Sequence, residues 1–456
     1  MITEFLLNGF IYEPDTGFKN VHKILPGSYF EIDFTKSCFK IKDVLYWKPG
    51  ISNIDRSVKD LIEDSILSQT VSDVPVGLFF SGGVDSSIIL SKLRDRIESF
   101  TVESSKEEYE NAGNSNDYRY ASIISKLFGV SLNPIRISDS DKLTGDELLN
   151  YIDILGNITE EPIADFTFIS SQILSRSVKK RGFTVMLSGM GADELFAGYS
   201  RYRMVKYQKV YRKLRWVANA FFSKSSFFSK KIERFNTFLD ESDISFKYTA
   251  LVGIFSRREI KDLMIAQPTF DEYKAKIQSI LEGYEGKSMM KKTMLMDRLG
   301  FLSHNFSVAD KSSMLESVEL RVPLATKDLF DVAFNLPDRQ LVSFFRGKIP
   351  LRKLLYKDLS RKLVDRRKAG FNPPLDAAIT DIGADRCFEF MEARGLFLVL
   401  RQDIVSKLIH QHYNNTVNNT YKIYSLLYLS AWLNNFQDDT YDMVENCSKV
   451  YRNRFL

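Results

Sequence analysis

The sequence predicts an α/β protein with a doubly wound parallel sheet, a large helical C-terminal part and a small β-rich segment at the front. Three observations predict it. Short apolar runs alternate with helical stretches between about residues 58 and 187. One of these runs, Val74–Phe80, ends directly in Ser81-Gly82-Gly83 and opens a helix. Beyond about residue 195 the pattern is helical to the end.

Residues 1–50 read as β-rich, with apolar runs at Ser28–Phe34, Cys38–Ile41 and Val44–Trp47 separated by turns such as Pro26-Gly27. So short a set of strands buries little alone, so it must pack on the rest. The expected division is a β unit over 1–50 and a second unit over 51–456. A helix follows, with Val58, Leu61, Ile62 and Ser65 on one face and Ser57 with Asp60 as a capping pair. After the glycine turn come a helix over Asp85–Leu93 and a strand over Ser99–Val102. A helix then carries Tyr120, Ile124, Leu127 and Phe128 on one face. Strands at Pro134–Ile137 and Phe183–Leu187 complete the alternation.

Composition narrows the class. The chain has 456 residues, 44% hydrophobic and 27% charged, ample for one large or two medium cores. No apolar run is long enough to span a bilayer. The start MITEFLLNGF lacks the basic and apolar regions of a signal peptide. Cys38, Cys387 and Cys447 are scattered and form no CxxC, which suits a reducing cytoplasm. His410 and His412 read as surface residues, and no His/Cys metal site is visible.

The sharpest signal is Leu78-Phe79-Phe80-Ser81-Gly82-Gly83-Val84-Asp85-Ser86-Ser87. Two glycines let the backbone approach a ligand closely. The exposed N–H groups and the helix start form an anion cradle, to which Ser81, Ser86 and Ser87 add hydroxyls. The GxxxxGK[ST] phosphate loop is absent. Asp85 would repel a phosphate unless Mg²⁺ lies between them, so the loop reads as a cradle for Mg-bound pyrophosphate. The bland alternative is a strand–helix turn with no ligand. A second glycine turn, Ser188-Gly189-Met190-Gly191-Ala192-Asp193-Glu194-Leu195-Phe196-Ala197-Gly198-Tyr199, also follows a strand. In a doubly wound sheet the strand ends share one edge, so Asp193 would sit near Asp85 as a second Mg²⁺ ligand. Glu194 reads as a helix-start carboxylate.

SGGVDSS resembles the pyrophosphate loop of the PP-loop ATP pyrophosphatase superfamily, whose members split ATP into AMP and pyrophosphate. Further motifs resemble the asparagine synthetase family. They are Glu161-Pro162-Ile163-Ala164-Asp165, the stretch Asp310 to Pro323, Lys348 with Leu351-Arg352, and Arg366, Lys368, Gly370, Phe371 and Pro374. Leu426 to Trp432 resembles the family's closing helix, so the likeness covers about 57–436.

That resemblance implies an adenine nucleotide alpha hydrolase-like fold. It also implies an amide ligase that adenylates a carboxylate, aspartate by default, for attack by ammonia or an amine. Residues Ser81, Gly82, Gly83, Asp85, Ser86 and Ser87 would bind the pyrophosphate of ATP, and Ser188 and Gly189 would border the adenosine. Asp85 and Asp193 would hold Mg²⁺. Lys348 and Lys368 would contact phosphates, with Lys368 stabilising charge as the adenylate forms.

Departures fall on the substrate side. Relatives with a glutaminase domain begin with a cysteine nucleophile; here the chain starts Met1-Ile2, and residues 1–50 resemble only that domain's last strands. Glutamine hydrolysis by this chain is therefore not expected: a separate glutaminase supplies ammonia, or the acceptor is already an amine, or the start of the gene is missing. Met190 stands where relatives place an acidic residue or a tyrosine, and a thioether cannot handle a proton. Asp310 could serve as the base, or Met190 could simply pack beside the adenine. The family's LD becomes Ala325-Thr326, and a histidine usual near the third strand is missing from Gly129–Pro134.

These departures leave room for amidation of a sugar-acid or peptide carboxylate, or for a non-catalytic nucleotide-binding subunit. A tRNA-modifying role is less favoured, since no CxxC or RNA-binding module is visible. From Arg201 to Arg234 the chain carries eleven Lys/Arg and one acid, interleaved with aromatic residues. The favoured reading is a helical excursion with solvated lysines. Binding to RNA and peripheral contact with an anionic membrane are sharper alternatives.

Overall fold

The structure is a computed structural model that describes residues 1–34, 40–50, 54–103, 117–136, 143–222, 226–366 and 375–435. Strands β1 (Ser28–Asp33) and β2 (Lys40–Leu45) form an antiparallel hairpin. The main sheet comprises β3 (Val76–Phe79), β4 (Glu98–Glu103), β5 (Leu132–Arg136), β6 (Val185–Leu187) and β7 (Glu319–Arg321), in the order β5-β4-β3-β6-β7. Every pairing in it is parallel.

The chain builds outward from β3 to β5 and then returns to lay β6 on the other side of β3. The direction of winding therefore reverses between β3 and β6, which opens a crevice at their C-terminal ends. Close packing fixes this central pair. Gly77 faces Met186 in register, and a Cβ on Gly77 would lie 2.6 Å from the Met186 sulfur.

Strand β7 departs from the expectation of helix alone beyond residue 195. Three residues are too few to show a two-residue period. The strand exists because Ser188 donates its backbone N–H to Arg321 O at 2.8 Å, and Arg321 is held by the carbonyls of Gln69 and Val71. On helix Asp117–Phe128 the buried side runs through Ala121, Ile124 and Phe128, whereas Leu127, expected on it, is exposed.

Residues 2–8 are a helix where a β-rich segment was expected. Ile2, Phe5 and Leu6 fall at i, i+3 and i+4, a helical spacing, and Gly9 ends the helix at φ +84°. Phe5, Leu6, Leu7 and Tyr12 are fully buried in the same cluster as Leu427 and Trp432 of the closing helix Thr420–Asn434. Glu4 is buried there beside Lys276, 2.7 Å away, and accepts the Tyr12 N–H. The hairpin is anchored separately. The Trp47 indole and Gly50 N–H both donate to the buried Asp331 carboxylate.

Two large apolar clusters result, one against the sheet and one among the helices around the closing helix. His410 is exposed as expected. His412 is not a surface residue: it is buried, and its Nδ1 accepts the Asn419 N–H at 3.3 Å.

Phe5→Ala should lower the unfolding free energy by about 3–5 kcal/mol, the usual cost of a phenylalanine-sized core cavity. Urea denaturation checks this; a loss below about 1 kcal/mol would show that the first helix is not part of the core.

Candidate active site

The first glycine turn leaves β3 and enters helix Val84–Leu93. Gly82 sits at φ +64°, and a Cβ there would lie 2.8 Å from the Ala121 nitrogen, so only glycine fits. Ser86 Oγ accepts the Ser81 N–H at 3.3 Å, closing the turn over itself. Ser87 is buried, and its hydroxyl has no partner among the described residues.

The second turn leaves β6 and enters the short helix Ala192–Leu195. Gly191 turns the chain at φ +86°, and Ser188 Oγ accepts the Met190 N–H. Gly189 lies against the first turn, where a Cβ would come within 2.7 Å of Asp85 Cβ. The two turns therefore touch, and their acids converge.

They converge on Lys348. Its ammonium lies 2.7 Å from Asp85 Oδ1, 2.7 Å from Asp85 Oδ2 and 2.7 Å from Asp193 Oδ1. Three N–H donors thus meet three carboxylate oxygens. Burial opposes the charge on Lys348, but Asp193 and Asp85 outweigh it and raise its pKa above the usual lysine value. The backbone is bent to deliver this side chain. Lys348 has φ +54°, a left-handed conformation that costs a non-glycine residue roughly 1–2 kcal/mol. Its N–H donates to Phe196 O at 3.1 Å.

Glycines make room on both sides. A Cβ on Gly347 would lie 2.2 Å from Ala197 O. A Cβ on Gly198 would lie 1.8 Å from Asp193 Oδ1 and 2.3 Å from Lys348 Cε.

Each turn is also held by an arginine. Arg366 Nη2 donates to Ser81 O at 2.9 Å and Nε to Gly82 O at 3.3 Å. The same guanidinium pairs with Asp117 and lies over the Tyr120 ring. Arg298, buried, donates to the carbonyls of Glu194 and Leu195, which end the short second helix. It projects from a π-helical turn, Asp297–Phe301, whose Asp297 pairs with Arg201.

The expected site residues are distributed as follows. Asp85, Asp193 and Lys348 form one cluster, with Ser81, Gly82, Gly83, Ser86, Ser188 and Gly189 around it in the two turns. Lys368, with Gly370, Phe371 and Pro374, lies outside the described residues. Asp310 is exposed on helix Leu302–Met314, and no bond joins its side chain to the cluster among the described residues. Asp165 is held instead by His304, 3.7 Å away, and by the Thr167 N–H. It sits behind a polar cavity of about 20 Å³, lined by Glu13, Lys23, Glu161, Ser303 and His304, with room for about one water.

Sequence reading missed Gly347, Asp117 and Arg298. The only signal for Gly347 was its place before Lys348.

The cluster carries oxygens of the kind a divalent cation takes, at a point that the Lys348 ammonium holds. Two carboxylates already reach one cationic point, and two carboxylates with one ammonium carry a formal net charge of −1. Mg²⁺ prefers such hard oxygens, one or two from protein and the rest from water and phosphate.

The asparagine synthase family profile matches residues 57–434. The chain is 27% identical over 450 residues to asparagine synthetase (glutamine-hydrolyzing) 1 of Bacillus subtilis strain 168, covering 94% of this chain and 68% of that protein. It is 24% identical over 382 residues to asparagine synthetase (glutamine-hydrolyzing) 3 of the same strain, covering 78% and 55%. It is also 24% identical over 214 residues to amidase chyE of Penicillium rubens, covering 42% and 30%. The chain thus spans about 55–68% of the length of these two synthetases.

Glu194 lies in the first turn of helix Ala192–Leu195, as expected, but its charge is not favoured there. Burial first, and the adjacent Asp193 charge second, push its pKa up to about 7, while the Tyr199 hydroxyl donates to it at 2.7 Å. Below about pH 4.5 the folded and unfolded states both hold this proton; between 4.5 and about 7 only the folded state does. Stability therefore falls as pH rises through that window, by on the order of 3 kcal/mol. Glu194→Gln should remove this fall. Urea unfolding at pH 5 and pH 8 checks it, and parallel pH profiles for variant and wild type would refute it.

Proposed function

The chain belongs to the asparagine synthase family, and on that premise we propose that it is an ATP-dependent amide ligase forming AMP and pyrophosphate. One observation carries the reading: Asp85 and Asp193 meet on Lys348 where the ends of β3 and β6 adjoin. That edge is where an open α/β sheet binds its ligand.

In this reading the N–H groups of the turn from Ser81 to Ser86 cradle the pyrophosphate end of ATP. Arg366 holds the turn's carbonyls and so fixes the path of its backbone. Asp85 and Asp193 would hold Mg²⁺, which supplies neutralisation of the polyphosphate. A carboxylate oxygen of the substrate attacks the α-phosphorus, the bond to the β-phosphate bridge oxygen breaks, and pyrophosphate leaves. Lys348 and, by resemblance, Lys368 place fixed positive charge where negative charge concentrates. The nitrogen of ammonia or an amine then attacks the acyl carbon, AMP leaves, and the nitrogen gives up a proton.

Aspartate is the first carboxylate to test. A specific feature favours a second class, a sugar-acid or peptide carboxylate: Met190 in the second turn offers no proton acceptor. The hairpin supports a separate nitrogen-supplying partner. Strands β1 and β2 pair only with each other among the described residues, and Phe30, Ile32, Phe34, Ile41 and Leu45 are exposed.

Isotope exchange of pyrophosphate into ATP tests the reading. Wild type with Mg²⁺ and the correct carboxylate should exchange. Asp193→Asn and Lys368→Met should each lower the rate about 100-fold or more. Release of ADP and phosphate would contradict it.

A further inference from the structure

We propose that the face formed by residues 203–214 and 343–346 docks on an anionic lipid surface. Tyr207, Val210, Tyr211 and Leu214 fall at i, i+3, i+4 and i+7 and share one side of the chain where helix Gln208–Phe222 begins. Phe344 covers part of that side. Its ring centroid lies 5.2 Å from Tyr207 and 6.2 Å from Tyr211, and Tyr211 also packs on Phe235 at 5.3 Å. Val210 and Leu214 stay exposed at 45% and 51%, and Phe345 projects beside them at 78%.

The projection is held in place. Arg203 donates to Phe345 O, Lys206 donates to Val342 O at 2.6 Å, and Ser343 N–H donates to Arg346 O at 2.8 Å.

Positive charge surrounds this apolar tip. Arg203, Lys206 and Arg212 give their hydrogen bonds to backbone carbonyls. Lys209 and Lys213 are exposed, and none of the five is in an ion pair among the described residues. Two of the acids nearby are otherwise engaged: Asp240 pairs with Arg215, and Asp365 with Arg346 and Arg352, while Asp338, whose carbonyl accepts from Lys206, adds a carboxylate beside the face. Aliphatic side chains and a phenylalanine ringed by cations match the interface of an anionic bilayer. RNA would instead need several open aromatic faces for base stacking; Tyr207 and Tyr211 spend theirs on phenylalanines, which leaves Phe345 as the one largely exposed ring among these described residues. Val210 and Leu214 offer no such face. No helix among the described residues is long and apolar enough to cross a membrane, so the contact would be peripheral. The proposal stands independently of the ligase reading.

Co-sedimentation of the full chain with vesicles tests it. The protein should pellet with phosphatidylcholine–phosphatidylglycerol vesicles at low salt, not with phosphatidylcholine alone, and high salt should release it. Leu214→Asp combined with Phe345→Asp should cut the bound fraction about tenfold, and so should Lys209→Glu combined with Lys213→Glu. Circular dichroism should show both variants folded. Absence of pelleting, or equal pelleting by wild type and variants, would overturn the proposal. A tRNA gel shift lost only in the lysine variant would overturn it in favour of RNA. Self-association in sedimentation velocity that Leu214→Asp abolishes, without vesicle binding, would overturn it in favour of a second copy.

Discussion

One ammonium between a buried carboxylate, Asp85, and a partly exposed one, Asp193, holds this site together. Asp85, Asp193 and Lys348 come from parts of the chain up to 263 residues apart, yet their charged atoms meet within 2.7 Å. Two carboxylates this close in a poorly solvated crevice repel strongly, and a cation between them reverses the sign of the interaction. The surrounding backbone accommodates that meeting at a cost. Lys348 and Ala197 both adopt left-handed φ values, and Gly189, Gly198 and Gly347 lie so close to their neighbours that a methyl group would collide. Strain and missing side chains concentrated at one place are typical of positions kept for chemistry.

The supporting contacts repeat a single device. Arg366 reaches the carbonyls of the first turn, and Arg298 reaches those at the end of the second. Fixing carbonyls from behind sets the path of each turn, while the N–H groups of Ser81, Gly83 and Met190 close on serine hydroxyls within it. Lys348 then has two roles in the proposed chemistry: it supplies the countercharge for the two acids, and it lies at the point where the nucleotide's phosphates would arrive.

Local features were legible in the sequence and long-range ones were not. The strand–glycine–helix turn at Ser81–Ser87 and its counterpart at Ser188–Asp193 follow from neighbours in the chain, so the parallel sheet and its edge could be read directly. The place of Lys348 between the acids could not, because it depends on a left-handed backbone and a contact with Phe196 far away in sequence. Arg298 looked like any helical arginine until tertiary packing set it under the second turn. Asp310 is a different case: a motif acid suggested chemistry, and the helix that carries it leaves its side chain exposed. Strand β7 and the buried helix Ile2–Asn8 were too short for their periods to stand out against the surrounding pattern.

The most direct measurement is a mutant cycle on unfolding free energy in the presence of a chelator. Lys348→Met alone should destabilise the protein by about 3–5 kcal/mol, because two carboxylates are left facing each other without a cation. Adding Asp85→Asn and Asp193→Asn to that variant should restore most of the loss. Strict additivity of the three substitutions would contradict the account, since it would mean that the three charges do not act on one another.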